Sequence, residues 1–231
     1  MTEPRTGTLA EPAELDGPAR PEPRTSGGLS ESEIVAAALH VVRTDGVQKL
    51  SMRRLSRELG VSPMAPYYYV ADKGELLDLV ATAALDGIRV PAADSGTWQQ
   101  RLRDLVDQID AKLRRHPGLS SLLIEQMLQK QVDLIAAVMG ILADAGFTSR
   151  NILSAYAVLH TYLFGREPLN AATGTAAPDL SLPPVVRQAI SHSGDLRGRY
   201  LYDFGVDTVL AGLEAQLARQ NAELAGPDRA P

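Results

Sequence analysis

The sequence predicts an all-α protein, on three observations. Apolar residues recur at three- and four-residue steps along most of the chain, the period of a helix with one buried stripe. No segment sustains the two-residue alternation of a half-buried strand. Serine, threonine or aspartate stands ahead of several stripes and glycine behind them, where helix ends leave backbone groups without intrahelical partners.

Residues 1–28 hold Pro4, Pro12, Pro18, Pro21 and Pro23 and almost no large apolar side chains. Such a stretch cannot bury enough surface to offset its ordering entropy, so a disordered tail is expected. Arg20 and Arg24 fit either a plain tail or an arm that enters a minor groove.

The first helix starts at Ser30, where Ser30-x-x-Glu33 forms a capping box. Ile34, Ala37, Ala38, Val41 and Val42 make its stripe, and Gly46 is expected to end it as a left-handed cap. Ser51 caps a second helix, with Leu50 and Leu55 in staple positions and Arg53, Arg54 and Arg57 facing out. Gly60 permits a turn with Val61 as its buried plug. Ser62 then caps a third helix with Pro63 at its first position, running to about Val70. Asp72-x-x-Glu75 opens a fourth, whose apolar face begins with Leu76, Leu77 and Val80.

Residues 90–97 read as a linker. Trp98, Leu102, Leu105, Ile109 and Leu113 mark the next helix, which His116-Pro117-Gly118 stops. Leu119 to Ala145 is one bent helix or two, closed by Gly146. Thr148 caps a helix carrying Ile152, Tyr156, Leu159 and Leu163, residues 170–184 read as a mobile loop, and Tyr202, Val206, Val209, Leu213 and Leu217 mark a last long helix. A flexible tail is expected over 222–231.

Composition removes several functions. Cysteine is absent, which excludes disulfides, thiolate zinc sites and cysteine nucleophiles. His40, His116, His160 and His192 are widely spaced, and no H-E-x-x-H, G-x-S-x-G or P-loop occurs. No enzyme activity, catalytic residue, cofactor or metal site is expected. No apolar run approaches the roughly 20 residues that span a bilayer, and the N-terminus has no signal-type stretch, so a cytoplasmic protein with no membrane partner is expected.

The formal net charge is −5, yet Lys49, Arg53, Arg54, Arg57 and Lys73 face only Glu58 and Asp72 between Gly46 and Lys73. This local cationic excess suits a phosphate backbone, although the same charges serve equally as a solvated helix surface. Two short helices joined by a tight turn, three tyrosines and a further helix form the layout of a helix-turn-helix DNA reader. In that arrangement Pro63, Met64 and Ala65 face base edges. They can touch thymine methyls but cannot read a guanine by paired hydrogen bonds. Lys73 at a helix start suits a phosphate, Arg53 and Arg54 suit backbone or base, and the cap hydroxyls of Ser51 and Ser62 lie near the same face.

SMRRLSRELGVSP followed by YYYVADKGELL resembles the N-terminal domain of the TetR family of bacterial repressors over about residues 30–80. HPGL and FGVDTVLAGLEA are looser echoes of a tetracycline-repressor-type C-terminal domain. The resemblance implies a helix-turn-helix DNA-binding domain at 29–89 and a helical ligand-binding and dimerisation domain at 90–221. It implies a homodimer formed through C-terminal helices, a double-stranded DNA operator, and a small-molecule effector whose binding releases the DNA. By family position Tyr67 donates to a phosphate, Tyr68 reaches groove or backbone, and Tyr69 also belongs to the DNA-facing set while partly packing on the first helix. A pocket in the middle helices would draw on Trp98, Leu105, Met127, Met139, Tyr156, His160 and Phe164, apolar walls with a few polar tips.

Two positions depart from the family pattern. Pro66 stands within the recognition helix and removes the N–H that would bond to Ser62, so a distorted or tight first turn, or a regular helix that starts later, is expected. Leu122 stands where the tetracycline repressors place a histidine that helps hold a magnesium–drug complex, and a leucine cannot ligate magnesium. The contrasting expectation is a helical ligand-binding or protein-partner module that no longer reads DNA, which Pro66 and the acidic total favour.

Overall fold

The computed structural model describes residues 28–226 apart from 126, 127, 129, 167–180 and 197. Residues 1–27 of the predicted tail at 1–28, residues 170–180 of the predicted loop, Met127 and residues 227–231 lie outside the described residues. Nine α-helices and no strand occur among the residues described: α1 Glu31–Asp45, α2 Met52–Leu59, α3 Lys73–Leu85, α4 Trp98–Arg115, α5 Leu119–Glu125, α6 Val132–Asp144, α7 Ser149–Gly165, α8 Pro184–Ile190 and α9 Arg199–Ala225.

Several ends form as the sequence predicts. The Ser30–Glu33 box closes on both sides, and the Ser51 hydroxyl accepts from Arg54 N–H at 3.2 Å. Gly60 sits at φ 66° and ψ 31°, a left-handed conformation that only glycine adopts at little cost. Other ends differ. Gly46 has positive φ but ψ 156°, so the chain leaves α1 extended rather than through a left-handed helical cap. Asp72 caps Glu75 N–H, but Glu75 reaches one residue further back and accepts from Ala71 N–H at 2.5 Å, so no reciprocal box forms. Thr148 precedes α7 without a side-chain cap, and its N–H donates instead to Gln220 Oε1 at 2.9 Å. Thr97, the last residue of the stretch read as a linker, forms a capping box with Gln100 of α4.

Leu119–Ala145 resolves into two helices, with Leu128 (φ 63°) and Gln131 (φ 59°) both left-handed between them. Positive φ strains residues that carry a Cβ, so surrounding contacts must hold this connection. Residues 184–190, expected to end or follow a loop, form α8, and the last helix continues to Ala225 through the stretch read as the start of a flexible tail.

Two apolar cores meet along α3. Leu76 and Val80 belong to a core with Ile34, Val41, Leu50 and Leu55; Ala81, Ala84 and Leu85 belong to a core with residues of α4–α7 and α9. One rigid helix thus carries side chains of both units, and fully burying a Leu or Val contributes about 1.5–3 kcal/mol. A second joint lies at the stop after α4, where Val47 N–H donates to the Pro117 carbonyl at 3.4 Å and Gly118 packs against Val47.

Charges fasten the far end. Asp110, buried on α4, pairs with Arg114 and with Arg166 just past α7. Arg103, Arg166 and Arg199 surround the Tyr202 ring at 5.5, 4.7 and 4.7 Å, and the Tyr202 hydroxyl donates to Asp107 at 2.6 Å. Tyr162 lies against Gly205 so closely that any Cβ there would collide with its ring. The close approach at Gly205 thus lies inside the chain, whereas Gly212 faces open space.

Candidate DNA face and ligand cavity

The segment after Gly60 is tighter than a helix. Pro66 has no N–H to offer, so the Ser62 carbonyl accepts from Ala65 at 3.1 Å, three residues on. Met64 and Pro66 carbonyls accept from Tyr67 (3.1 Å) and Tyr69 (3.0 Å) in the same pattern. The expected helix 63–70 is thus a four-residue 3₁₀ turn, Ala65–Tyr68. Its start falls on Met64, no side chain caps it, and Ser62 is exposed rather than capping.

This turn sorts the candidate residues. Met64 is 63% exposed, Tyr68 77% and Tyr67 46%, and Pro63 is exposed beside them. Ala65, expected on the base-facing edge, is buried together with Pro66, because the tighter turn rotates both inward. Val61, expected as a buried plug, is only half-buried. Tyr69 packs against the first core, and its hydroxyl donates to the Leu29 carbonyl, so it anchors the turn to the start of the domain.

The arginines of α2 also divide. Arg54 is held by Asp45 at 3.0 Å and Glu58 at 2.6 Å, and those carboxylates raise its pKa, led by the Glu58 hydrogen bond. Arg53 and Arg57 are exposed, and they line one shallow depression with Lys49, Ser51 and the Asp45–Arg54 pair. Lys49 and Arg57 were not among the candidate contacts, although the charge count between Gly46 and Lys73 contained both. Lys73 is exposed at the first turn of α3, where Asp72 already occupies the Glu75 N–H.

In the second domain a cavity opens among α3, α4, α5, α6 and α7. Tyr156, His160 and Phe164 line it as expected. The rest of its wall is aliphatic: Leu85, Val106 and Ile109 on one side, Leu123, Leu134, Ile135 and Val138 on another, Leu159 and Leu163 beside Tyr156. Lys130 and Gln131 complete it. Three expected wall residues lie elsewhere. Leu105 is wholly buried in the core, Trp98 packs edge-on against Phe147 at 5.6 Å, and Met139 packs on the core outside the cavity. Leu122, at the position that departs from the tetracycline repressors, is half-buried against the same core.

The interior measures about 50 Å³, room for a few waters and far below the roughly 300–1,000 Å³ of sites for drug-sized ligands. A ligand of that size therefore has to displace part of the wall. The Tyr156 and His160 side chains hydrogen bond to the backbone of Leu128 and Leu123, at or near the strained connection. Burial is the main cause that lowers the His160 pKa, which leaves its ring neutral at pH 7, and burial likewise raises the Tyr156 pKa. Among the described residues no group of three or more His, Cys, Asp or Glu could hold a metal ion, and no helix is long and apolar enough to cross a membrane.

The apolar stripes of α7 and α9 mostly point inward. Tyr156, Leu159, Leu163, Tyr202, Val206 and Leu213 are buried within the chain. Other residues of α7 and α9 carry apolar surface outward: Leu153, Val158, Phe204 and Leu224 are 48%, 51%, 62% and 71% exposed.

Comparison with known proteins gives one family. The family described as "Tetracyclin repressor-like, C-terminal domain" matches residues 90–217. The class D tetracycline repressor protein of Escherichia coli is 29% identical over 199 residues, covering 82% of this chain and 91% of its own. The Streptomyces coelicolor TetR family protein ActR in complex with actinorhodin superimposes with a TM-score of 0.67 at 21% identity, over 83% of this chain and 99% of that one. BioQ with its double-stranded DNA operator superimposes at 0.60 and 24% identity, over 80% and 98%. With the family's domain matched over more than half its length, the chain belongs to the tetracycline-repressor-like family.

Proposed function

We propose that this protein is a dimeric, ligand-responsive transcriptional repressor of the cytoplasm. It binds a palindromic double-stranded DNA operator through residues 51–73 and leaves it when a small, largely apolar effector enters the cavity. The observation that carries the reading is the exposed edge Pro63, Met64, Tyr67 and Tyr68, flanked by the exposed cations Lys49, Arg53, Arg57 and Lys73. The edge supplies groove contact, and the cations supply the sequence-independent attraction to phosphate. BioQ binds an operator and ActR binds actinorhodin on this fold, which supports both halves.

Within this reading Arg53 takes backbone or base and Lys73 a phosphate. Arg54, already on two carboxylates, orients α2 against α1. One such unit holds few phosphates, and two copies spaced by about 34–36 Å reach successive major grooves. The outward apolar side chains of α7 and α9 suit the pairing that sets this spacing. The cavity lies against α3, so a ligand that pushes its wall moves the helix that carries Lys73.

The test is binding of the full chain to DNA flanking its own gene, measured by fluorescence anisotropy across a salt series. Affinity should fall steeply as salt rises, with a slope set by the phosphates contacted. Flat salt dependence, or a monomer in sedimentation at the same concentrations, would replace this reading with that of a helical partner-binding module.

A further inference from the structure

The cavity wall has one charged side chain among the described residues. Lys130 lines it half-exposed, where the interior meets solvent, and every other polar group on the wall is neutral: Gln131, the Tyr156 hydroxyl and the His160 ring. Lys130 is also tied to the DNA-binding side. Its ammonium pairs with Asp78 of α3 at 3.0 Å, and the neighbouring Gln131 amide donates to Thr82 of α3 at 3.1 Å. Asp78 stands on the helix that begins at Lys73.

We propose, resting on the effector reading above, that the cavity takes an acidic, otherwise apolar small molecule whose anionic group binds Lys130 in place of Asp78. The physical argument is a competition. Lys130 and Asp78 are both partly exposed to water, and such a pair is weakly held. An anion delivered on an apolar body meets the same ammonium with one side already shielded by the aliphatic wall, where the attraction is stronger. Apolar burial supplies affinity, and the charge supplies selection. The same step has a mechanical consequence. With Lys130 taken by the ligand, α3 loses the Lys130–Asp78 tie. A neutral ligand of the same shape fills the cavity but leaves that tie intact.

A matched pair of dyes tests this on the full chain. 8-Anilinonaphthalene-1-sulfonate carries a sulfonate, and N-phenyl-1-naphthylamine has the same rings without it. Only the fluorescence that is lost in cavity-filling Ile135→Trp, or in Val138→Phe should the first variant fold poorly, is counted. The sulfonate should bind about fivefold more tightly than the neutral dye, and Lys130→Met should level the two. Asp78→Asn, which removes the competitor, should tighten sulfonate binding about threefold and leave the neutral dye unchanged. Equal affinities in the unmodified protein, or weaker sulfonate binding in Asp78→Asn, would overturn the proposal. Dye fluorescence indifferent to both filling variants would instead overturn the underlying reading that this cavity takes small molecules.

Discussion

The segment proposed to face DNA and the cavity proposed to hold the effector are built in opposite ways. Residues 51–73 present their chemistry from one continuous stretch, so neighbours in sequence are neighbours on the surface. The cavity draws its wall from five helices spread over Leu85 to Phe164, and no short motif contains it. Substitutions of the exposed residues in the first region should therefore act one by one on binding, with the fold intact. Substitutions in the second act on packing and function together, because each wall residue is also core.

The largest effect should come from the assembled region. Asp110 is 1% exposed and pairs with Arg114 and Arg166. Asp110→Ala should cost about 3 kcal/mol of unfolding free energy, since breaking a buried pair strands its partner. Urea denaturation measures this, and a loss below about 1 kcal/mol would show that the fastening is dispensable.

The contiguous region should give cleaner losses. Lys73→Ala should weaken operator binding about tenfold and lower the salt slope by about one, equally for all sequences. Arg53→Ala should be comparable, and Arg54→Ala should cost less than about threefold, because its guanidinium is already held by Asp45 and Glu58. Equal losses from the two arginines would erase the division that the ion pairs draw.

A finer contrast uses the 3₁₀ turn. Met64→Ala should shift sequence preference by about 1 kcal/mol at one base step with stability unchanged, read from binding to a randomised operator library. Pro66→Leu restores an N–H and permits a regular turn. It should tighten operator binding, and unchanged or weaker binding would show that the tight turn is the functional form.

The smallest effect is a pH dependence of the cavity region. Burial holds the His160 pKa below its ordinary 6.5, so the unfolded chain takes up a proton that the folded chain resists. Stability that is fully present above pH 6.5 should decline as pH falls toward the folded value, then level off. His160→Gln should flatten this part of the profile in thermal unfolding followed by circular dichroism.

Much of the first region was legible because its determinants are local. Ser30, Ser51, Gly60 and Asp72 act within one turn of themselves, and each sits where its cap or turn was expected. Pro66 marked a disturbed first turn, but that the turn is tight and that Ala65 rotates inward depend on what packs beneath it. Arg53 and Arg54 look alike in sequence, and only α1, which brings Asp45 across to α2, separates them. In the second region Tyr156, His160 and Phe164 recur at i, i+4 and i+8 on one face of α7, so periodicity alone places all three along one wall. Trp98 and Leu105 share an apolar stripe with Ile109, but periodicity does not say which part of a stripe meets a void and which meets Phe147.

Helix period, caps and turn residues determined where most of the helices begin, and the local charge excess marked the face proposed to meet DNA. These follow from forces that reach a few residues along the chain. Which arginine stays available, which wall encloses the cavity, and that Lys130 reaches from that wall to Asp78 were decided by packing. Those contacts join residues from separate helices, whose approach depends on the whole folded core.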